Sequence, residues 1–436
     1  MPEQDHGAPT PYAPPAPGTV TAYRGATLFD GTDRRPRPSM AIVVDGERIR
    51  HVVPDADLPA LLPDGAETVD LAGRFVTPGL IDSHQHLATP PDRPRAEAVL
   101  RRLVYGGVTA IRDMADDVRQ IGDLARATLV GEIPGPDIHY AALMAGPGFF
   151  DDPRTHQVTR GATPGQVPWM QAVTDTTDLP LAVAMARGTH AAAIKVYADL
   201  EAGLVAAITA EAHRQGIAVW AHAAVFPATP RQVVEAGVDA VSHVTLLAHE
   251  TADRPLTTYR DKPPVDHARL TAGDDPRIAE LFALMLRNGT VLDATAALWA
   301  SGEMAGDGPE AAERARLTSD LAAALTAQAH RAGVPISTGT DYETAPEDPF
   351  PALYEELAFL VDRCGLSAEA ALRSATAVGA RSAGAADLRG TVEPGRLADF
   401  AVFDEDPLQS IANLRTVHLT VKRGRRHARA DFEAGR

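Results

Sequence analysis

His84, His86, His222, His243 and Asp341 offer the ligand types that a zinc-like divalent ion takes, imidazole nitrogens and a carboxylate oxygen. His84 and His86 are separated by one residue in the apolar run FVTPGLIDSHQHL. Alternate residues of a β-strand share a face, so on a strand both imidazoles point the same way. Lys195, in AAAIKVYADL, keeps company with them but is of a different kind. An ammonium group has donors and no acceptor, and by itself it reads as a buried lysine paired with a carboxylate. A single histidine near a strand end is ordinarily a polar residue satisfied by its neighbours, and His139, His156, His190, His213 and His249 are read as structural or surface residues. The other set differs in being gathered. Burying a polar group without a partner costs about 1–3 kcal/mol on mutational scales, and a metal is the simplest partner for all of them together.

These residues need a frame, and the sequence supplies one. Eight apolar β-like runs follow one another: FVTPGLIDSHQHL, GVTAIRDM, DIHYAALMAG, AAAIKVYADL, IAVWAHAA, VDAVSHVTLL, TVLDATAAL and VPISTGTD. Between them lie segments of helical period such as LVAAITAEAHRQG and RIAELFALMLRNG, several closing on Gly. Eight β-then-α units predict an α/β fold of the (β/α)8 TIM-barrel type. A doubly wound open sheet is the competing architecture, but no Gly-rich phosphate loop supports it. In such a barrel the C-terminal strand ends converge on one mouth. There the first strand places His84 and His86, the fourth Lys195, the fifth His222, the sixth His243 and the eighth Asp341.

Both ends of the chain are strand-rich. AIVVDGERIRHVV reads as a hairpin turning at Asp45-Gly46, and GTVEPGRLADFAVFD and VHLTVKRGRR repeat its style. We expect residues 23–77 and 386–430 to build one small β-sandwich around a barrel of residues 78–385, after a disordered, Pro-rich arm at residues 1–22. Hydrophobic residues make up 45% and charged residues 23%, as in an ordinary globular protein. A net charge of −17 argues against nucleic acid as a partner. The one cysteine, Cys364, allows no intrachain disulfide, and no run approaches the roughly 20 apolar residues of a membrane span. With no signal-peptide pattern at the start, the expectation is a cytoplasmic protein acting on a small molecule, with a homo-oligomer compatible with the sequence.

The motifs VTPGLIDSHQHL, GVTAIRD, AAIKVYADL, VWAHA, AGVDAVSH, ISTGTD, LRSATAVGARSAG and GTVEPGRLADFAVFDEDPL resemble the amidohydrolase superfamily, in its imidazolonepropionase-like and dipeptidase-like branch, over nearly all the chain after residue 22. The resemblance implies two divalent ions, zinc by type. His84, His86 and Asp341 would hold the more buried ion, and His222 and His243 the second. Lys195 would be carbamylated and bridge the pair. Asp341 would act as general base and acid, carrying a proton from the attacking water to the leaving group. Asp82, two residues before His84, reads equally as a residue that orients a ligand from behind and as a turn or cap residue. The implied reaction is hydrolysis of a C–N bond in an amide or cyclic amide, outside peptides. The alternatives are a lactone or ester hydrolase, a lyase or isomerase on the same centre, or a non-catalytic relative. There are departures. AGPGFFDDPRTH stands where dipeptidase-like relatives have a Gly-Gly-His loop, and DYETAPEDPFPALYEEL, with Tyr354, where they have two histidines. The resemblance therefore carries the metal centre further than it carries a dipeptide substrate. Tyr197, Phe150 and Phe226, with Phe149 and Tyr342, are the expected substrate-lining residues.

Overall fold

The computed structural model describes residues 19–32, 35–301 and 308–434. Most of the expected Pro-rich arm, residues 1–18, lies outside them, and its last residues belong to a strand that already begins at Val20.

The eight apolar runs form eight parallel strands in sequence order: β1 (Leu80–Gln85), β2 (Val108–Asp113), β3 (Asp137–Ala145), β4 (Ala193–Val196), β5 (Ala218–His222), β6 (Ala240–Ser242), β7 (Val291–Asp293) and β8 (Ile336–Ser337). Each pairs with the next. The ring is brought together past the last strand, where the Ser83 N–H donates to Thr338 O at 2.8 Å and the Asp341 N–H to His84 O at 2.9 Å. The helices between strands present one apolar face to this ring. Val118–Val130, for example, buries Ile121, Leu124 and Ala127. An Asp117 side chain caps its start, and Gly131 at φ 75° ends it in the left-handed conformation that glycine adopts without strain.

The barrel interior has an unusual filling. Inward positions of β3, β4 and β6 are small, Ala141, Ala193 and Ala240, and the space goes to two large side chains, Trp220 and Arg112, neither of them exposed. The Arg112 guanidinium lies over the Trp220 ring, 4.4 Å from its centroid. Its polar edge is satisfied by Ser83 O at 2.8 Å, Ser382 O at 3.2 Å and Asp293 Oδ2 at 3.1 Å. This platform forms the floor beneath the mouth of the barrel.

Strands from both ends of the chain form a separate sheet, as the sequence suggests. Phe400–Phe403 pairs antiparallel with Phe75–Pro78, which lies parallel to Val20–Leu28. All eight strands there join one hydrogen-bonded sheet, with Tyr23, Ile42, Val44, Phe400, Val402 and Val421 in a core of their own. No helix among the described residues is long and apolar enough to cross a membrane.

Candidate metal centre

Three of the expected histidines approach the carboxylate of Asp341. His84 Nε2 and His86 Nε2 each stand 3.6 Å from Asp341 Oδ1, and His243 Nδ1 stands 3.8 Å from Oδ2. One ligand atom each from His84, His243 and Asp341 falls within 4.8 Å of the others, a spacing that one ion can span. His222 lies beside His243 with ring centroids 4.8 Å apart. Lys195, fully buried, reaches Ser242 Oγ at 3.1 Å. All six line one cavity of about 450 Å³, an ordinary size for a small-ligand site.

The geometry follows from the strands. His84 lies at the end of β1 and His222 at the end of β5, and His243 follows β6 directly. His243, Thr295 and Asp341 have positive φ of 70°, 43° and 60°, a conformation that costs a non-glycine residue about 1–3 kcal/mol. Strain of this kind persists only where the surroundings impose it, and all three residues line this cavity.

The rings are held from behind. His86 Nδ1 is 2.8 Å from Asp116 Oδ1, and His84 Nδ1 is 2.7 Å from the buried Asp293 Oδ2. A carboxylate on one imidazole nitrogen orients the other and makes it a better ligand. His243 differs: the Nδ1 that faces Asp341 itself contacts Thr295 Oγ1 at 3.0 Å. Asp82, read either as orienting a ligand or as a turn or cap residue, gathers backbone and side-chain donors around the end of β1. Its Oδ1 accepts the His84 and Thr340 N–H groups, both at 3.1 Å, and its Oδ2 accepts from Gln85 Nε2 and Thr340 Oγ1, both at 2.8 Å. It thus ties the end of β1 to the segment carrying Asp341.

Electrostatics separate the groups. Burial, reinforced by Lys195, holds His84 and His222 well below the ordinary histidine range, and burial together with His84 does the same to His243. Neutral imidazole is the form that ligates a cation. Burial also works against a charged His86, but Asp116 and then Asp341 outweigh it and hold the ring above its usual value. Burial lowers Lys195 to about 7, and Arg112 adds to the effect while Asp293 and Asp341 oppose it.

The aromatic wall differs in part from expectation. Tyr197 lines the cavity, its ring 3.9 Å from His222 and 4.5 Å from Phe149, and Tyr342 lines it too. Phe150 and Phe226 do not. Phe150 packs behind Phe149, centroids 5.6 Å apart, and Phe226 is fully buried between His249 and Tyr259. The side of a loop that faces the cavity depends on its path, which strand alternation does not predict. Tyr259 was missed for the same reason: it arrives on a loop after β6, where the Asp199 carboxylate accepts its N–H at 2.8 Å, and stacks 5.6 Å from His222. Tyr354 turns away, donating to Gly106 O at 2.8 Å. Two residues on, Glu356 accepts the N–H groups of Ala296 and Ala297 and holds the loop that carries Thr295. Asp293 also escaped notice, although it ends β7 in TVLDATAAL as the other candidates end their strands.

Gly339 shows how closely the centre is packed. A Cβ there would overlap Asp293 Oδ1 and come within 2.8 Å of His84 Cβ. We expect Gly339→Ala to lose about 1–3 kcal/mol of stability, as overpacked cores do, and to bind divalent ions less well. Thermal unfolding and metal titration on one preparation check this, and a variant unchanged in both would contradict the packing argument.

Known proteins agree with this architecture. A model of the amidohydrolase family matches residues 75–426. The imidazolonepropionase of Cereibacter sphaeroides is 27% identical over 401 residues, covering 88% of this chain and 92% of that protein. That of Rhizorhabdus wittichii is 50% identical, but the match covers only 13% of this chain and 15% of that relative's length. Among solved structures, a Xaa-Pro dipeptidase with bound methionine shares the fold with a TM-score of 0.73 at 23% identity, over 94% of this chain and 100% of that one. An A. niger ochratoxinase does so with a TM-score of 0.73, also at 23% identity, over 94% and 96%. The family model runs from the strand before the barrel through all eight β/α units to the last strands of the terminal sheet: the chain belongs to the amidohydrolase family.

Proposed function

We propose that this protein is a metal-dependent amidohydrolase that hydrolyses a C–N bond, in an amide or cyclic amide, of a small-molecule substrate. The observation that carries the reading is the meeting of three imidazole nitrogens within 3.6–3.8 Å of the Asp341 carboxylate, with two of the rings held from behind by buried carboxylates. That arrangement fits a divalent cation. His222 Nδ1 is buried without a hydrogen-bond partner, so this ring too has a nitrogen to offer. His84, His86 and Asp341 would hold one ion and His222 and His243 a second, with Lys195, as its carbamate, between them. A divalent ion bound there would lower the pKa of a water toward about 7 and polarise the scissile carbonyl.

The chain's own residues supply the rest. Asp341 takes the proton of the attacking water as its oxygen bonds to the carbonyl carbon, then gives that proton to the nitrogen as the C–N bond breaks. Tyr197, Phe149 and Tyr259 wall the cavity and place the substrate against His222 and Asp341. Membership of the amidohydrolase family supports C–N hydrolysis, and a cavity of about 450 Å³ suits a small substrate.

Elemental analysis of protein produced with metal supplied should find close to two divalent ions per chain, zinc foremost. Chelation should abolish turnover on a panel of amides and cyclic amides, and re-addition should restore it. A fully active protein with one equivalent would overturn the two-ion arrangement. Undiminished activity after complete metal removal would overturn the proposal as a whole.

A further inference from the structure

The seventh strand supplies no candidate ligand, yet it ends in a fully buried carboxylate directly under the site. We propose that Asp293 is the positioning residue of the centre, setting the aim of His84 and Lys195 together; the inference rests on the metal reading above. Asp293 Oδ2 lies 2.7 Å from His84 Nδ1, 2.8 Å from Ser242 Oγ and 3.1 Å from Arg112 Nη2. Ser242 and Asp293 are register partners on β6 and β7, so the short contact between them is built into the sheet. A serine hydroxyl has one hydrogen, and Ser242 directs it to Asp293. Toward Lys195 Nζ, 3.1 Å away, its oxygen is therefore the acceptor. One carboxylate oxygen thus governs two arms.

The first arm fixes a tautomer. With Nδ1–H given to Asp293, the His84 lone pair is on Nε2, the atom 3.6 Å from Asp341 Oδ1. The second arm runs through Ser242 and holds the flexible lysine stem in one direction. Asp116 does the first job for His86 but reaches no second candidate ligand. The chain also makes room for this carboxylate: Asp293 Oδ1 occupies the space where Gly339 lacks a Cβ. A counter-ion for Arg112 alone would require neither the contact to His84 nor that to Ser242.

The test is a Co2+ titration of metal-free protein by competition with a chromophoric chelator, for wild type, Asp293→Asn, Ser242→Ala and the remote core variant Leu281→Ala. Melting of each metal-free protein is recorded alongside. Asp293→Asn should bind Co2+ about 10- to 100-fold more weakly, the range found when a ligand's outer partner is removed. Ser242→Ala, which leaves Arg112 paired with Asp293, should also weaken binding. Leu281→Ala should melt earlier yet keep wild-type affinity. Affinities of Asp293→Asn and Ser242→Ala within twofold of wild type would overturn the proposal, as would an equal loss in Leu281→Ala. If Asp293→Asn does not fold, Ser242→Ala decides by the same criterion. Wild-type protein that takes up no Co2+ would overturn the metal reading and this inference with it, whereas binding in wild type with no change in either variant would remove only the positioning role.

Discussion

Asp341→Asn is expected to keep its fold and much of its metal while kcat falls about 100- to 10,000-fold, the usual cost of losing general-base help. The amide retains the shape and one ligating oxygen of the carboxylate but cannot accept a proton at neutral pH. The carboxylate is placed for both tasks. Oδ1 faces His84 and His86, Oδ2 faces His243, and the backbone N–H is anchored on His84 O. The positive φ of 60° is tolerable for Asn, one of the few side chains that enter this region readily, so the substitution does not add backbone strain. KM should change far less than kcat, because proton transfer belongs to the transition state and not to substrate binding. If Asp341 only tied down the following loop, the variant would melt earlier and turn over normally. Measuring kcat, metal content and melting temperature on one preparation separates the two outcomes, and near-normal kcat in folded, metal-loaded protein would remove Asp341 from the mechanism.

Lys195→Ala should lose metal and activity together, and small carboxylic acids at high concentration should restore part of both. A carbamate is a carboxylate on a lysine stem, and an added acid can occupy the space that the stem vacates. Lys195→Arg should fail as well, because a guanidinium remains protonated and cannot take up carbon dioxide as an amine does. Wild-type activity in Lys195→Arg would show that only a positive charge is needed. Burial lowers the Lys195 amine from 10.5 to about 7, which gives the metal-free protein a pH signature. Between those values the unfolded chain holds a proton at this residue that the folded chain has released. Stability therefore rises with pH across the window, and below about 7 that increment is absent. Lys195→Ala should lack this component. Parallel stability profiles of metal-free wild type and Lys195→Ala would contradict it.

Much of the site was legible before any coordinates because a (β/α)8 barrel turns sequence position into spatial position. Once eight apolar runs are recognised, their last residues share one rim, and period-2 alternation places His84 and His86 on its inner side. The same rule did not reach the supporting groups. Asp116 sits in a loop after β2, and no periodicity aims its carboxylate at His86. Tyr354 stands near the place where dipeptidase-like relatives have a second histidine, yet its hydroxyl bonds to Gly106 O, away from the cavity, and Glu356 of the same helix holds the loop that carries Thr295.

The sequence alone determined the barrel, the terminal sheet and the convergence of His84, His86, His222, His243 and Asp341 on one rim, since these depend on local periodicity and on which residue ends each strand; Lys195 joined the candidate set through the family resemblance. Tertiary structure decided what lies behind and across from that set: Asp293 joined to His84, Ser242 and Arg112, Tyr259 in the wall with Phe150 and Phe226 outside it, and Gly339 as the space that Asp293 fills. The physical reason is that these contacts join residues far apart in the chain through packing and loop paths. A buried carboxylate takes whichever donors the closed barrel brings to it, and that choice exists only once the ring has formed.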